Sequence, residues 1–176
     1  FAIGQRDLKR LLAYSSIENV GIIAVGVGLA LSGRFQGRAE WVLLGLGGAL
    51  LHVWNHSLFK SLLFFNAGAI IHAAGTRRID LMGGLAKRLP AVMALFTVGA
   101  AAICALPPLN GFASEWLIYA GLFRTLGRGA ATGAPAAALA TVALAMSGAL
   151  AVACFVKVLG AVFLGAPRSE ADGPAH

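Results

Sequence analysis

Apolar residues run through five stretches of this chain, and most polar residues fall in the short segments between them. Leu11 to Ser32 forms the first run, ended by Gly33 and the polar stretch Arg34 to Glu40. Trp41 to about Ala74 forms the second. About 20 helical residues cross a hydrocarbon core, so this run predicts a helix that is tilted, protruding, or broken near Asn66 and Gly68. The third runs from about Leu89 to Leu106 and stops at Pro107-Pro108, the fourth from about Ala113 to Phe123, and the fifth from about Pro135 to Leu164. The pattern predicts an all-α, polytopic transmembrane helical bundle with about five membrane segments and one or more broken helices. It occupies residues 1–166, and the polar tail at 167–176 is predicted to be disordered.

Composition supports the membrane reading: 59% of the 176 residues are hydrophobic and 12% are charged, where a soluble domain carries roughly a quarter charged. The net charge of +7 points to membrane sidedness, because basic residues in short loops follow the positive-inside rule, and no aromatic and basic interleaving suggests nucleic acid. If all five segments cross, Arg6, Lys9, Arg10, Arg77, Arg78, Lys87, Arg88, Arg124 and Arg128 share one side, against Arg34, Arg38 and Arg168. That places the start of the chain on the cytoplasmic side. Cys104 and Cys154 sit alone in apolar runs and support neither a disulfide nor a metal cluster. No secretory signal is visible at Phe1, and the chain reads as a fragment of a longer protein.

Ionisable residues inside the apolar runs carry the chemistry. In "HVWNHSLFKSLLFF" (52–65), His52, His56 and Lys60 advance by about 400° per step of four, so they form one slowly drifting stripe on a helix face. A lysine near mid-bilayer costs at least about 2.5–3.5 kcal/mol unless it faces water or a partner, which makes Lys60 a functional candidate. A lysine and histidines along one path can hold and release protons. The alternatives are a lysine that snorkels or is satisfied by carbonyls and, for His52, an ordinary hydrogen-bonded interior histidine. A zinc site is not supported, since Val53 stands where the zinc-protease pattern has glutamate and no third ligand is evident. His72, near the loop, reads as a membrane-interface residue.

Lys157 lies inside the last run without a neighbouring charge and needs a partner from another helix, water or another subunit. Glu18 points away from the face shared by Lys9 and Ser16 and serves either a relay or a helix contact. Glu115, after "PPLNGF", serves either a relay or the N-terminus of the following helix. No dinucleotide fingerprint, P-loop or cysteine cluster appears, so electron-transfer chemistry is not expected in this chain.

"DLKRLLAYSS" (7–16), the His-x-x-x-Lys-x-x-Leu-Phe pattern (56–64), "GGL" (83–85) and "LPPLNGFASEW" (106–116) together resemble the antiporter-like membrane subunits shared by respiratory complex I, Mrp-type cation/proton antiporters and group 4 membrane-bound hydrogenases. "SSIENVGII", "HAAGTRRID" and "PPLNGFASEWLIYAGLF" look most like the hydrogenase-4 and formate hydrogenlyase branch. The resemblance implies two inverted repeats, of which this chain is most of the second. It implies a proton relay of Lys9, His56, Lys60 and Lys157, the last on a broken helix, driven by redox chemistry elsewhere. Nickel–iron, iron–sulfur or flavin groups would then belong to partner subunits in a bacterial or archaeal cytoplasmic membrane, with none in this chain. An Mrp-like secondary cation/proton antiporter, moving protons and possible sodium, is the alternative.

Overall fold

The computed structural model describes residues 2–127, 133–166 and 168. Helix α1, Leu8–Phe35, starts where the Asp7 side chain accepts the Arg10 N–H at 2.9 Å, which satisfies one of the unpaired amides of its first turn. It ends at a tight turn containing Gly37, whose φ of +65° favours glycine. Helix α2, Ala39–Ala74, follows and runs back antiparallel. Its 36 residues extend about 54 Å, and it is continuous through Asn66 and Gly68. Asn66 does not break it because the amide folds back on its own helix, donating to Leu62 O at 2.7 Å. The two helices touch backbone to backbone at Gly26 and Gly45, where a Cβ on Gly45 would lie 2.7 Å from Ala30 N.

A short helix α3, Leu85–Arg88, leads into α4, Pro90–Ile103, and α5, Asn110–Leu126 follows a six-residue break. All five expected apolar segments are helical, but the register along α2 shows that α4 and α5 are successive halves of one passage. Gly99 packs on Leu62 and Leu63, the Asn110 carbonyl accepts from Asn55, Ser114 bonds His52, Ile118 packs on Gly48, Gly121 on Leu44, and Arg124 pairs with Glu40 at 3.7 Å. Partner numbers along α2 fall steadily as numbers along α4 and α5 rise. Both halves therefore run antiparallel to α2, stacked end to end. At 14 and 17 residues they extend about 21 and 25 Å, each short of a core of about 30 Å.

Helix α6, Ala134–Phe163, returns alongside α1. Ser147 meets Glu18, Lys157 meets Ile3 and Gln5, and Gly84 N donates to Leu164 O at 3.1 Å. The bundle therefore makes four passages where five were expected. Arg124 joins Arg34 and Arg38, and Arg168, packed beside Gly83, joins Arg6, Lys9, Arg10, Arg77, Arg78, Lys87 and Arg88. The charge asymmetry survives because Arg168 moves opposite to Arg124. The predicted placement of Arg128 and the expected disorder of the tail, Arg168 apart, lie outside the described residues. α6 is also continuous, whereas the resemblance implied a break in the helix that carries Lys157.

Two apolar cores fill the bundle. One gathers Leu8, Leu11, Leu12, Phe59, Leu63, Phe96, Phe155 and Phe163; the other gathers Ile22, Leu29, Trp41, Ile118, Leu122 and Leu144. Between them lies a buried polar layer of Ser15, Asn19, His52, Asn55 and Ser114, with Lys60 at its edge. Exposed Leu43, Trp54, Phe65, Leu139 and Met146 give the outside an apolar surface suited to lipid or other membrane helices.

Candidate proton-handling site

The apolar sequence on either side of the polar layer sets which groups it holds. On α1 the buried face reads Leu12, Ser15, Asn19, Ile22, three or four residues apart, so two polar groups sit between two core leucine and isoleucine anchors. On α2 the same face presents His52, Asn55 and Lys60, and on α5 it presents Ser114.

Lys60 points at α1. Its amine donates to Leu12 O and to Ser15 Oγ, each at 2.6 Å, while Ser15 Oγ donates to Leu12 O at 3.0 Å. Both acceptors are neutral, and no carboxylate pairs with the amine among the described residues. The same lysine borders an open cavity of about 630 Å³ together with Lys9, His56 and Ser57. His56 stands edge-on to Phe59, ring centroids 5.5 Å apart, and its buried Nε2 has no hydrogen-bond partner among the described residues. Lys9, His56 and Lys60 are thus brought to one cavity.

His52 takes the interior, fully hydrogen-bonded place. Nε2 lies 3.0 Å from Asn19 Oδ1 and Nδ1 lies 2.9 Å from Ser114 Oγ. Asn19 Nδ2 is committed as a donor to Ser15 O at 2.8 Å, so its oxygen faces the ring and His52 Nε2 carries the proton. Asn55 Nδ2 adds bonds to Asn110 O at 2.7 Å and Ser114 Oγ at 3.3 Å. This network ties the first turn of α5 to α2 at the point where the α4–α5 passage is interrupted.

The remaining candidates fall elsewhere. Glu18 accepts from Ser147 Oγ at 2.6 Å across the α1–α6 contact, away from Lys9. Lys157 is exposed and donates to Ile3 O at 2.8 Å and Gln5 O at 3.3 Å, in the segment before α1, with no bond to Lys60. Glu115 does not cap α5, because the helix starts at Asn110 and places it in the second turn. His72 is exposed in the last turn of α2. No cluster of three His, Cys, Asp or Glu side chains is placed to hold a metal among the described residues.

Five site residues escaped the reading of the sequence: Ser15, Asn19, Asn55, Ser114 and Ser147. The available signal was spacing, since Ser15 and Asn19 stand four apart inside an apolar run and Asn55 follows His52 by three. Polar groups so spaced in a membrane helix share a face that must find partners.

A family model described as NADH:quinone oxidoreductase/Mrp antiporter, transmembrane, matches residues 1–142. Formate hydrogenlyase subunit 3 of Escherichia coli (strain K12) is 45% identical over 170 residues, covering 97% of this chain and 28% of that protein. Hydrogenase-4 component B of the same organism is 48% identical over 169 residues, covering 96% and 25%. Among solved structures, the Mrp complex from Dietzia sp. DQ12-45-1b superimposes with a TM-score of 0.76 at 27% identity, over 94% of this chain and 27% of that one. The chain spans about a quarter of the length of the curated relatives it matches.

Proposed function

The chain belongs to the NADH:quinone oxidoreductase/Mrp antiporter transmembrane family, and on that premise we propose that it is part of a proton-translocating membrane subunit of a hydrogenase-4 or formate hydrogenlyase-like complex. Residues 1–166 form the conducting domain, and residues 167–176 lie outside it. Lys60, His56, Lys9 and Lys157 are the relay groups in this reading. Redox chemistry at nickel–iron, iron–sulfur or flavin centres resides in partner subunits, and the end bearing Arg6, Arg77 and Lys87 faces the cytoplasm of a bacterium or archaeon.

The observation that carries the reading is the setting of Lys60: a buried amine, ligated only by neutral oxygens, at the wall of an open cavity that also holds His56 and Lys9. A lysine with no carboxylate hydrogen-bonded to it can exist in either protonation state, and a histidine with an unengaged ring nitrogen can pass its proton on. Lys157 stands apart, at the end of α6 near the start of α1, and serves as a relay group on the boundary of the domain.

The test is redox-driven proton movement in sealed vesicles holding the full-length subunit in its complex, wild type against Lys60→Met, with electron transfer followed in parallel. Loss of pumping in an assembled complex is expected. Unchanged pumping refutes the assignment. The similarity to the Mrp complex structure favours a secondary cation/proton antiporter as the second reading; sodium-dependent proton movement without any redox partner would establish it.

A further inference from the structure

We propose that the proton leaves Lys60 sideways through the Ser15 hydroxyl, across α1, to Glu18, so that Ser15 and Glu18 are relay groups and His52 is a positioning residue. The inference rests on the relay reading of Lys60 and adds a route to it.

Two cavities meet at the Lys60–Ser15 hydrogen bond. Lys60 lines the one shared with Lys9 and His56. Ser15 lines another, of about 720 Å³ between α1 and α6, whose wall also includes Glu18 and Ser147 among mainly apolar groups. Ser15 Oγ accepts from Lys60 Nζ at 2.6 Å and holds its own proton toward Leu12 O. A hydroxyl that accepts on one side and carries a rotatable proton on the other can exchange the two. Glu18 follows Ser15 by three residues, on a neighbouring face of the same helix. Ser147 engages its Oε1, and Oε2 has no hydrogen bond among the described residues.

The step balances with one water as carrier. A Lys60 Nζ–H bond breaks as a Ser15 Oγ–H bond forms. The original Ser15 proton passes to a water in the α1–α6 cavity, and that water gives up one proton to Glu18 Oε2. Lys60 is left as a neutral amine and Glu18 as a neutral carboxylic acid.

The alternative route, along α2 through His52, is closed by the same network. The His52 Nε2 proton faces Asn19 Oδ1, an amide oxygen that accepts a hydrogen bond but has no proton to hand onward, since its Nδ2 is held by Ser15 O. His52 instead fixes Asn19, and Asn19 holds the turn of α1 that presents Ser15.

The experiment compares initial rates of redox-driven proton uptake in vesicles containing the full-length complex, for Ser15→Ala, Ser15→Thr, Glu18→Gln and Lys60→Met, with assembly quantified for each. Ser15→Ala and Glu18→Gln are expected to lower the rate on the order of a hundredfold, the scale of a positioned proton carrier, and Ser15→Thr to retain it because the hydroxyl is kept. Glu18→Gln preserves side-chain volume and so reports on the carboxyl itself. Wild-type pumping in assembled Ser15→Ala or Glu18→Gln complexes overturns the lateral route; if Lys60→Met abolishes pumping in the same series, the relay reading stands and only the route falls. Wild-type pumping in Lys60→Met overturns both.

Discussion

Replacing Asn19 by leucine removes two buried hydrogen bonds at once, to His52 Nε2 and to Ser15 O. Replacing His52 by leucine also removes two, to Asn19 and to Ser114. Hydrogen bonds between membrane helices average about 0.6 kcal/mol and reach about 1.7, so each single substitution costs about 1–3 kcal/mol. The Asn19–His52 bond is counted in both, and the double variant loses it only once. The coupling energy in a double-mutant cycle should therefore equal that shared bond, about 0.6–1.7 kcal/mol. Equilibrium unfolding of the purified full-length subunit in mixed micelles, followed by tryptophan fluorescence, measures all four corners of the cycle. Costs that add to within about 0.3 kcal/mol, the ordinary scatter of independent sites, would show that Asn19 does not hold the ring and would remove the argument that His52 is closed to proton passage.

The four-passage topology predicts that cysteines introduced at Arg124 and Arg34 are labelled by an impermeant thiol reagent from one face of a sealed vesicle and a cysteine at Arg77 from the other; labelling of positions 124 and 77 from the same face would restore a five-passage arrangement. At the basic end, the hydrogen bond from Arg78 and the nearby charges of Arg78 and Arg6 hold the Asp80 carboxyl below the usual carboxylate range. Because the folded value is depressed, the clamp contributes above the ordinary aspartate range and is lost as pH falls through the lower folded value. Amide exchange at Ile79, which donates to Arg6 O at 2.8 Å, should accelerate on acidification below that range, and Asp80→Asn should remove the pH dependence while raising exchange at neutral pH.

The helical class and the segments were legible because each apolar run is bounded by glycine, proline or charge. The number of passages was not, because hydropathy records where helices lie and carries no information on whether two short ones turn back or stack. That is decided by contacts such as Asn55 with Asn110 and Arg124 with Glu40. The shared face of His52, His56 and Lys60 was legible from period alone, yet the three differ in setting: His52 is enclosed by Asn19 and Ser114, His56 keeps an unengaged nitrogen, and Lys60 turns to α1. Those differences come from Ser15, Asn19 and Ser114, uncharged residues whose polar role appears only when another helix supplies the partner. Lys157 was recognised as needing a partner, but its partner is the backbone of Ile3 and Gln5, more than 150 positions away in sequence, and no local pattern encodes a carbonyl at that distance.

The interruption between Ile103 and Asn110 also sets terms for biogenesis. Neither α4 nor α5 is long enough to anchor itself across a bilayer, so the two must be accepted by the insertion machinery as a pair. When they enter, the turn that opens α5 lies at membrane depth, where polar groups need partners from protein. Asn55, on α2 and made 55 residues earlier by the ribosome, supplies one by donating to Asn110 O. Chain order thus puts the template in the membrane before the segment that packs on it, and a truncated or delayed α2 would leave the later pair without that polar contact.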